Sequence, residues 1–156
     1  MPLDLRELLA RALPIGERFP DWRAPASDAV RERMQWPLDS LLFDVEHDGF
    51  WPAAWGSRPA GLEDALALAT REFARAPRLV PLYGHRYLPV DPPESGNPVF
   101  SVYQTDVILY GSSLELYFAT EFGTLPWKEA VAKPARHVPF WSELAIGTPD
   151  ESIEQE

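Results

Sequence analysis

Residues 78–122, RLVPLYGHRYLPVDPPESGNPVFSVYQTDVILYGSSLELYFATEF, carry the densest strand signals in the chain and its best-marked helix start. Leu79 to Tyr83 and Arg86 to Leu88 are short apolar or aromatic runs parted by Gly84. Asp91 to Pro98 reads as a turn-rich loop, because Pro fixes φ and lacks a donor while Gly and Asn tolerate left-handed backbone. Val99 to Tyr103 and Val107 to Tyr110 bring β-branched and aromatic residues that suit a pleated surface. Gln104-Thr105-Asp106 between them fits a tight hairpin loop or a polar bend in one long strand, with the hairpin the preferred reading, and Gly111 ends the last strand. Ser112-Ser113-Leu114-Glu115 fits a capping box, with Ser112 taking an orphan helix N–H and Glu115 reaching back. Leu114, Tyr117, Phe118 and Phe122 then place an aromatic stripe on one helix face, read as core.

Upstream, Leu3 to Leu13 reads as an amphipathic helix stopped by Pro14 and Gly16. Pro25 to Asp28 opens a second helix that runs to about Gln35, with Val30 and Met34 inward, until Trp36-Pro37 breaks it. Leu41, Phe43 and Val45 alternate with Leu42, Asp44 and Glu46, a period that predicts a short strand, with a turn at His47-Asp48-Gly49. On such a strand Asp44 and Glu46 share a face. Leu62 to Ala76 carries the clearest helical pattern, with Leu62, Leu66, Ala69 and Phe73 on one side and Pro77 at its end. Downstream, Trp127 to Ala132 suggests a helical turn or two and Phe140 to Ile146 a short closing helix. This order predicts a single α+β domain over residues 1–149, a central, largely antiparallel sheet flanked by helices, followed by an acidic frayed tail at 150–156.

Composition narrows the function. A chain of 156 residues with 46% hydrophobic content is long enough to bury a proper core. No apolar run reaches the length of a membrane span. The opening MPLDLRELLARAL reads as a helix and not as a signal peptide, and with no cysteine for disulfides a cytoplasmic location is expected. Acidic residues outnumber basic ones by 24 to 14, a net charge of −10. Such a surface repels phosphate backbones and anionic lipid, so direct nucleic-acid or membrane binding is disfavoured, while a basic protein partner would be steered in. Nothing in the sequence sets the oligomeric state.

Sequence signatures for chemistry are sparse. Phosphate-binding glycine loops, a dinucleotide fingerprint and a nucleophile elbow are all missing. His47 lies among Asp44, Glu46 and Asp48, which raises a hydrolase or a hard-cation site, but the spacing matches neither a calcium loop nor a His-Glu-x-x-His zinc motif. No metal, cofactor or catalytic set is assigned. Two binding readings remain. In one, Asp44, Glu46, Asp48 and Asp106 are the charged part of a protein-binding surface, with Trp51, Trp55 and Tyr103 as aromatic anchors, the tryptophans fitting ordinary core packing equally well. In the other, Tyr83, His85, Arg86 and Tyr103 line a pocket for a small anionic ligand. The plainer expectation for His85 and Arg86 is that both tie their strand to the Asp91–Pro98 loop by hydrogen bonds.

The runs LVPLYGHRYLP and GNPVFSVYQTDVILYGSSLELYF, preceded by WPLDSLLFDVEHDGFWPAAWG, resemble bacterial members of the SUKH superfamily, which also includes a yeast regulator of cell-wall synthesis. The resemblance covers roughly Gln35 to Phe122. It implies an α+β domain with a central sheet and surrounding helices. It also implies a non-enzymatic role, since many bacterial members are thought to be immunity proteins that neutralise polymorphic toxins, often nucleases. It carries no catalytic residues over to this chain.

Overall fold

A computed structural model describes residues 1–146; the expected tail at 150–156 lies outside the described residues. The order is α1 (Leu3–Arg11), α2 (Asp28–His47), a single 3-10 turn (Ala53–Trp55), α3 (Leu62–Phe73), β1 (Leu79–Tyr83), β2 (Arg86–Pro89), β3 (Val99–Tyr103), β4 (Asp106–Gly111), α4 (Leu114–Glu121), α5 (Trp127–Ala130) and α6 (Trp141–Ile146). The strands pair antiparallel in sequence order, β1-β2-β3-β4. The α+β class and the antiparallel sheet expected from residues 78–122 are both present.

Alternation along the strands sends side chains to two faces, and each face has its own core. On one, Val80, Leu82, Leu88 and Val99 pack with Leu5 of α1 and with Leu114 and Tyr117 of α4. On the other, Leu79, Tyr87, Phe100, Val102 and Val107 meet Val138 and Trp141. A third cluster joins Leu41 and Val45 of α2 to Ala69 of α3. Gly111 lets α4 fold tightly back on the sheet: a Cβ there would fall 2.8 Å from the Tyr117 Cβ. The β3–β4 connection is a tight hairpin turn with Gln104 at φ 57°, left-handed as such turns require.

Three local expectations change. The second helix does not break at Trp36-Pro37, and no strand covers residues 41–46: α2 continues unbroken to His47. Pro37 removes one helical N–H, so the Arg33 carbonyl four residues back loses its donor. The Tyr87 hydroxyl supplies the replacement at 2.9 Å. The same twenty residues that alternate as a strand over one short window also hold Val30, Pro37, Leu41, Asp44 and Val45 on one buried helical face. The N-cap of α4 is Ser113, whose Oγ accepts from the Leu116 N–H at 3.3 Å, whereas the Ser112 hydroxyl donates to the Lys133 carbonyl at 2.6 Å. Finally, the aromatic stripe on α4 is core only at its start, since Tyr117 is buried and Phe122 is exposed.

Candidate functional site

The helical register of α2 decides what its polar face offers. Glu32, Trp36, Asp39, Phe43 and Glu46 recur at intervals of four, three, four and three residues, the spacing that keeps side chains on one side of a helix. All five are exposed. Carboxylate and aromatic ring therefore alternate along the outer face of one long helix. The two aromatic members are unusually open for their size, Trp36 at 38% and Phe43 at 48% exposure.

The sheet extends this stripe sideways. Tyr103, 52% exposed at the end of β3, lies 6.4 Å from Trp36 between ring centroids. His85 meets Tyr103 edge-on at 5.0 Å and Trp36 at 6.2 Å. His47 stacks on Phe43 at 4.1 Å, its Nδ1 within 2.9 Å of the Phe43 carbonyl oxygen. Asp106, opposite Tyr103 in the hairpin register, is exposed beside it.

Asp44 positions that hairpin and is not itself on the surface. It is 4% exposed, and its Oδ2 accepts from both the N–H and the hydroxyl of Thr105, at 2.9 and 2.5 Å. A charge-assisted pair of bonds thus clamps the turn that carries Tyr103 and Asp106 onto α2. The expectation that Asp44 shares an outer face with Glu46 is corrected by the helix: two residues apart, they point about 200° from each other. Glu46 and Asp48 are exposed, with Asp48 at the helix C-cap.

Trp51 and Trp55 are half-buried and packed against the α2–α3 cluster. The Trp51 indole donates to the Gly56 carbonyl at 2.8 Å, and Trp55 stacks on Phe140 at 6.2 Å with an interplanar angle of 5°. Both rings therefore hold the segment after α2 in place. Trp36 and Phe43 are the open aromatics of α2, and Glu32 and Asp39 are carboxylates between or beside them, a face that a break at Trp36-Pro37 and a strand over residues 41–46 hide. The signal that finds them is the 3.6-residue period carried through Pro37.

His47 has no carboxylate bonded to it among the described residues, and no three His, Asp or Glu side chains converge there as a metal site would require. The second group of candidates is divided by the sheet. Arg86 turns inward: its Nε donates to Glu121 at 3.2 Å, its Nη1 to the Ser101 hydroxyl at 2.8 Å, and its guanidinium sits 3.7 Å from the Tyr110 ring centre. Tyr83 packs between Phe19 and Phe122, at 4.7 and 5.0 Å. His85 and Tyr103 face outward with Trp36. The four residues thus do not enclose one pocket. Nor do His85 and Arg86 fasten the Asp91–Pro98 loop. That task is shared by Arg136, which donates to Asn97 Oδ1 at 2.6 Å and to the Ser95 carbonyl at 3.2 Å, and by α1, where Asp4 Oδ2 accepts from the Gly96 N–H at 3.1 Å and the Leu3 N–H donates to the Pro93 carbonyl at 2.9 Å. A cleft of about 680 Å³ lies elsewhere, between α1 and the start of α4, lined by Leu8, Leu114 and Phe118 with Glu7 and Glu115 at its sides.

No protein family, curated protein or solved structure was found to match this chain. The site therefore rests on its own geometry: a helix face of alternating acids and aromatics, widened by a hairpin that a buried carboxylate holds in register. No helix among the described residues is long and apolar enough to cross a membrane.

Proposed function

We propose that the chain is a protein-binding module, related to the SUKH immunity proteins, whose α2 face receives a basic protein partner such as a nuclease-type toxin domain. The observation that carries this reading is the exposed series Glu32, Trp36, Asp39, Phe43 and Glu46, extended by Tyr103 and Asp106. Large rings on a protein surface supply anchoring energy when a partner desolvates them, and carboxylates interleaved with them choose a partner of opposite sign and speed its approach. The overall charge of −10 acts in the same direction. A nuclease must present a basic groove to hold its polyanionic substrate, so an acidic, aromatic stripe can occupy that groove in its place. A second copy of this chain would bring like charge against like charge at the same surface, which argues for a different partner.

The test is capture of binding proteins by the tagged chain at low salt, beside a variant with Asp39→Lys and Glu46→Lys. A basic protein that the wild type retains, that elutes as salt rises, and that the variant fails to hold is the expected result, followed by assay of that protein's nuclease activity with and without the chain. Equal capture by wild type and charge-reversed variant would remove the α2 face from the reading.

A further inference from the structure

Three arginines surround the β1–β2 turn of this otherwise acidic chain, each close enough to His85 to disfavour its protonation. Their neutralisation is unequal. Arg86 is paired with Glu121. Arg33 of α2 gives its Nη1 to the Arg18 carbonyl at 2.7 Å and its Nη2 to the Glu17 carbonyl at 2.6 Å, bonds that fix geometry but leave its charge uncompensated. Arg18 lies over the Tyr83 ring, 4.4 Å from its centre, and has no carboxylate partner among the described residues. A guanidinium seated on a ring keeps its N–H donors for another acceptor.

The β1–β2 turn is tied to the Arg18 backbone and lies beside its guanidinium. The Gly84 N–H donates to the Arg18 carbonyl at 2.9 Å. Gly84 has φ +53°, and a Cβ on it would fall 2.6 Å from Arg18 Nη2. Glycine is therefore needed for the left-handed turn, while a Cβ would only push the end of the flexible Arg18 side chain aside. His85, the next residue, carries the same corner out to Trp36 and Tyr103.

We propose that Arg18, Arg33 and His85 form an oxyanion subsite at the edge of the aromatic face, taking a phosphate or carboxylate group with the Arg18 fork as its principal donor. Two guanidinium charges without acidic partners, one anchored on backbone carbonyls and one stacked on the Tyr83 ring, can present their remaining N–H donors to such a group. The two sources of that chemistry are a phosphate-bearing solute and a carboxylate presented by a docked protein. The subsite depends on free-anion binding alone, so it stands or falls separately from the α2 protein-binding reading.

The experiment is an NMR titration of the full chain with sodium phosphate and, separately, sodium acetate, at fixed ionic strength, following the His85 ring resonances and their pH midpoint. The expected result is a saturable shift together with a rise in the midpoint, because a bound anion favours the imidazolium. Arg18→Gln should weaken that binding at least tenfold, and Arg18→Lys, which keeps the charge and loses the fork, should weaken it less. Saturation by phosphate alone assigns the subsite to a phosphate group; saturation by both anions assigns it to carboxylates as well. A non-saturating drift with both anions, or unchanged saturation in Arg18→Gln, overturns the proposal.

Discussion

The Tyr87 hydroxyl donates to the Arg33 carbonyl at 2.9 Å, the very oxygen that Pro37 deprives of its helical donor. One strand side chain thus repairs the defect in α2 and ties the helix to the centre of the sheet. Tyr87→Phe is expected to lower stability by about 1–2 kcal/mol, since the ring still packs but a partly buried carbonyl is left unpaired. Pro37→Ala restores an N–H to the same oxygen, so the double variant should lose less than Tyr87→Phe does alone. Denaturant unfolding of the three variants gives the coupling directly.

The clamp between Asp44 and Thr105 makes a second prediction. Asp44→Ala removes two bonds to a buried carboxylate and should cost about 2–3 kcal/mol. Asp44→Asn keeps an acceptor at the same place and should cost clearly less. Because the clamp sets the hairpin, hydrogen exchange at Thr105 and its neighbours should rise in Asp44→Ala before the core amides of β2 respond.

Exposed and packed aromatics should separate in thermal unfolding. Trp36→Ala and Phe43→Ala remove surface rings and are expected to change stability by less than about 1 kcal/mol while weakening partner binding at least tenfold. Trp51→Ala empties a site against the α2–α3 cluster and should cost about 2–3 kcal/mol. A Trp36→Ala variant that melts as early as Trp51→Ala would place Trp36 among the packing residues and not on the docking face.

Stability should decline on both flanks of the pH range. Partial burial, reinforced by Arg86, Arg18 and Arg33, holds the His85 pKa below its ordinary 6.5. A depressed folded-state value means that the unfolded chain takes up the proton first, so this contribution is intact above about 6.5 and is lost as pH falls through the folded value. Burial raises the Tyr87 phenol from 10.0 to about 12. That contribution is intact below the unfolded value and is lost as pH rises from 10.0 towards about 12. His85→Gln should reduce the loss on the acid flank and Tyr87→Phe that on the alkaline one, where the buried Tyr117 phenol, raised further still by burial, keeps a loss of its own, measured as melting temperature against pH.

Residues 78–122 specified their own structure in the sequence because their signals are local. Alternating β-branched and aromatic runs, the prolines of the 91–98 loop, the short Gln104–Thr105 turn and a serine ahead of an apolar helix all act over a few residues, and the four strands and α4 appear where those signals lie. The acidic balance and the lack of cysteine are equally properties of the chain alone.

The exposed face of α2 was decided elsewhere. Within α2 the local signals conflict: Pro37 argues for a break, and the window from Leu41 to Glu46 alternates like a strand. What settles the matter is a hydroxyl fifty residues downstream, which satisfies the Arg33 carbonyl, and the burial of Leu41 and Val45 against α3. Once the helix runs through, Asp44 turns inward to hold the hairpin, and Trp36 and Phe43 turn outward between Glu32, Asp39 and Glu46. The gathering of Arg18, Arg33 and His85 is of the same kind, since it joins a connector, a helix and a turn. Sequence sets the strength of each local preference, but only packing between distant elements determines which preference prevails where two of them compete.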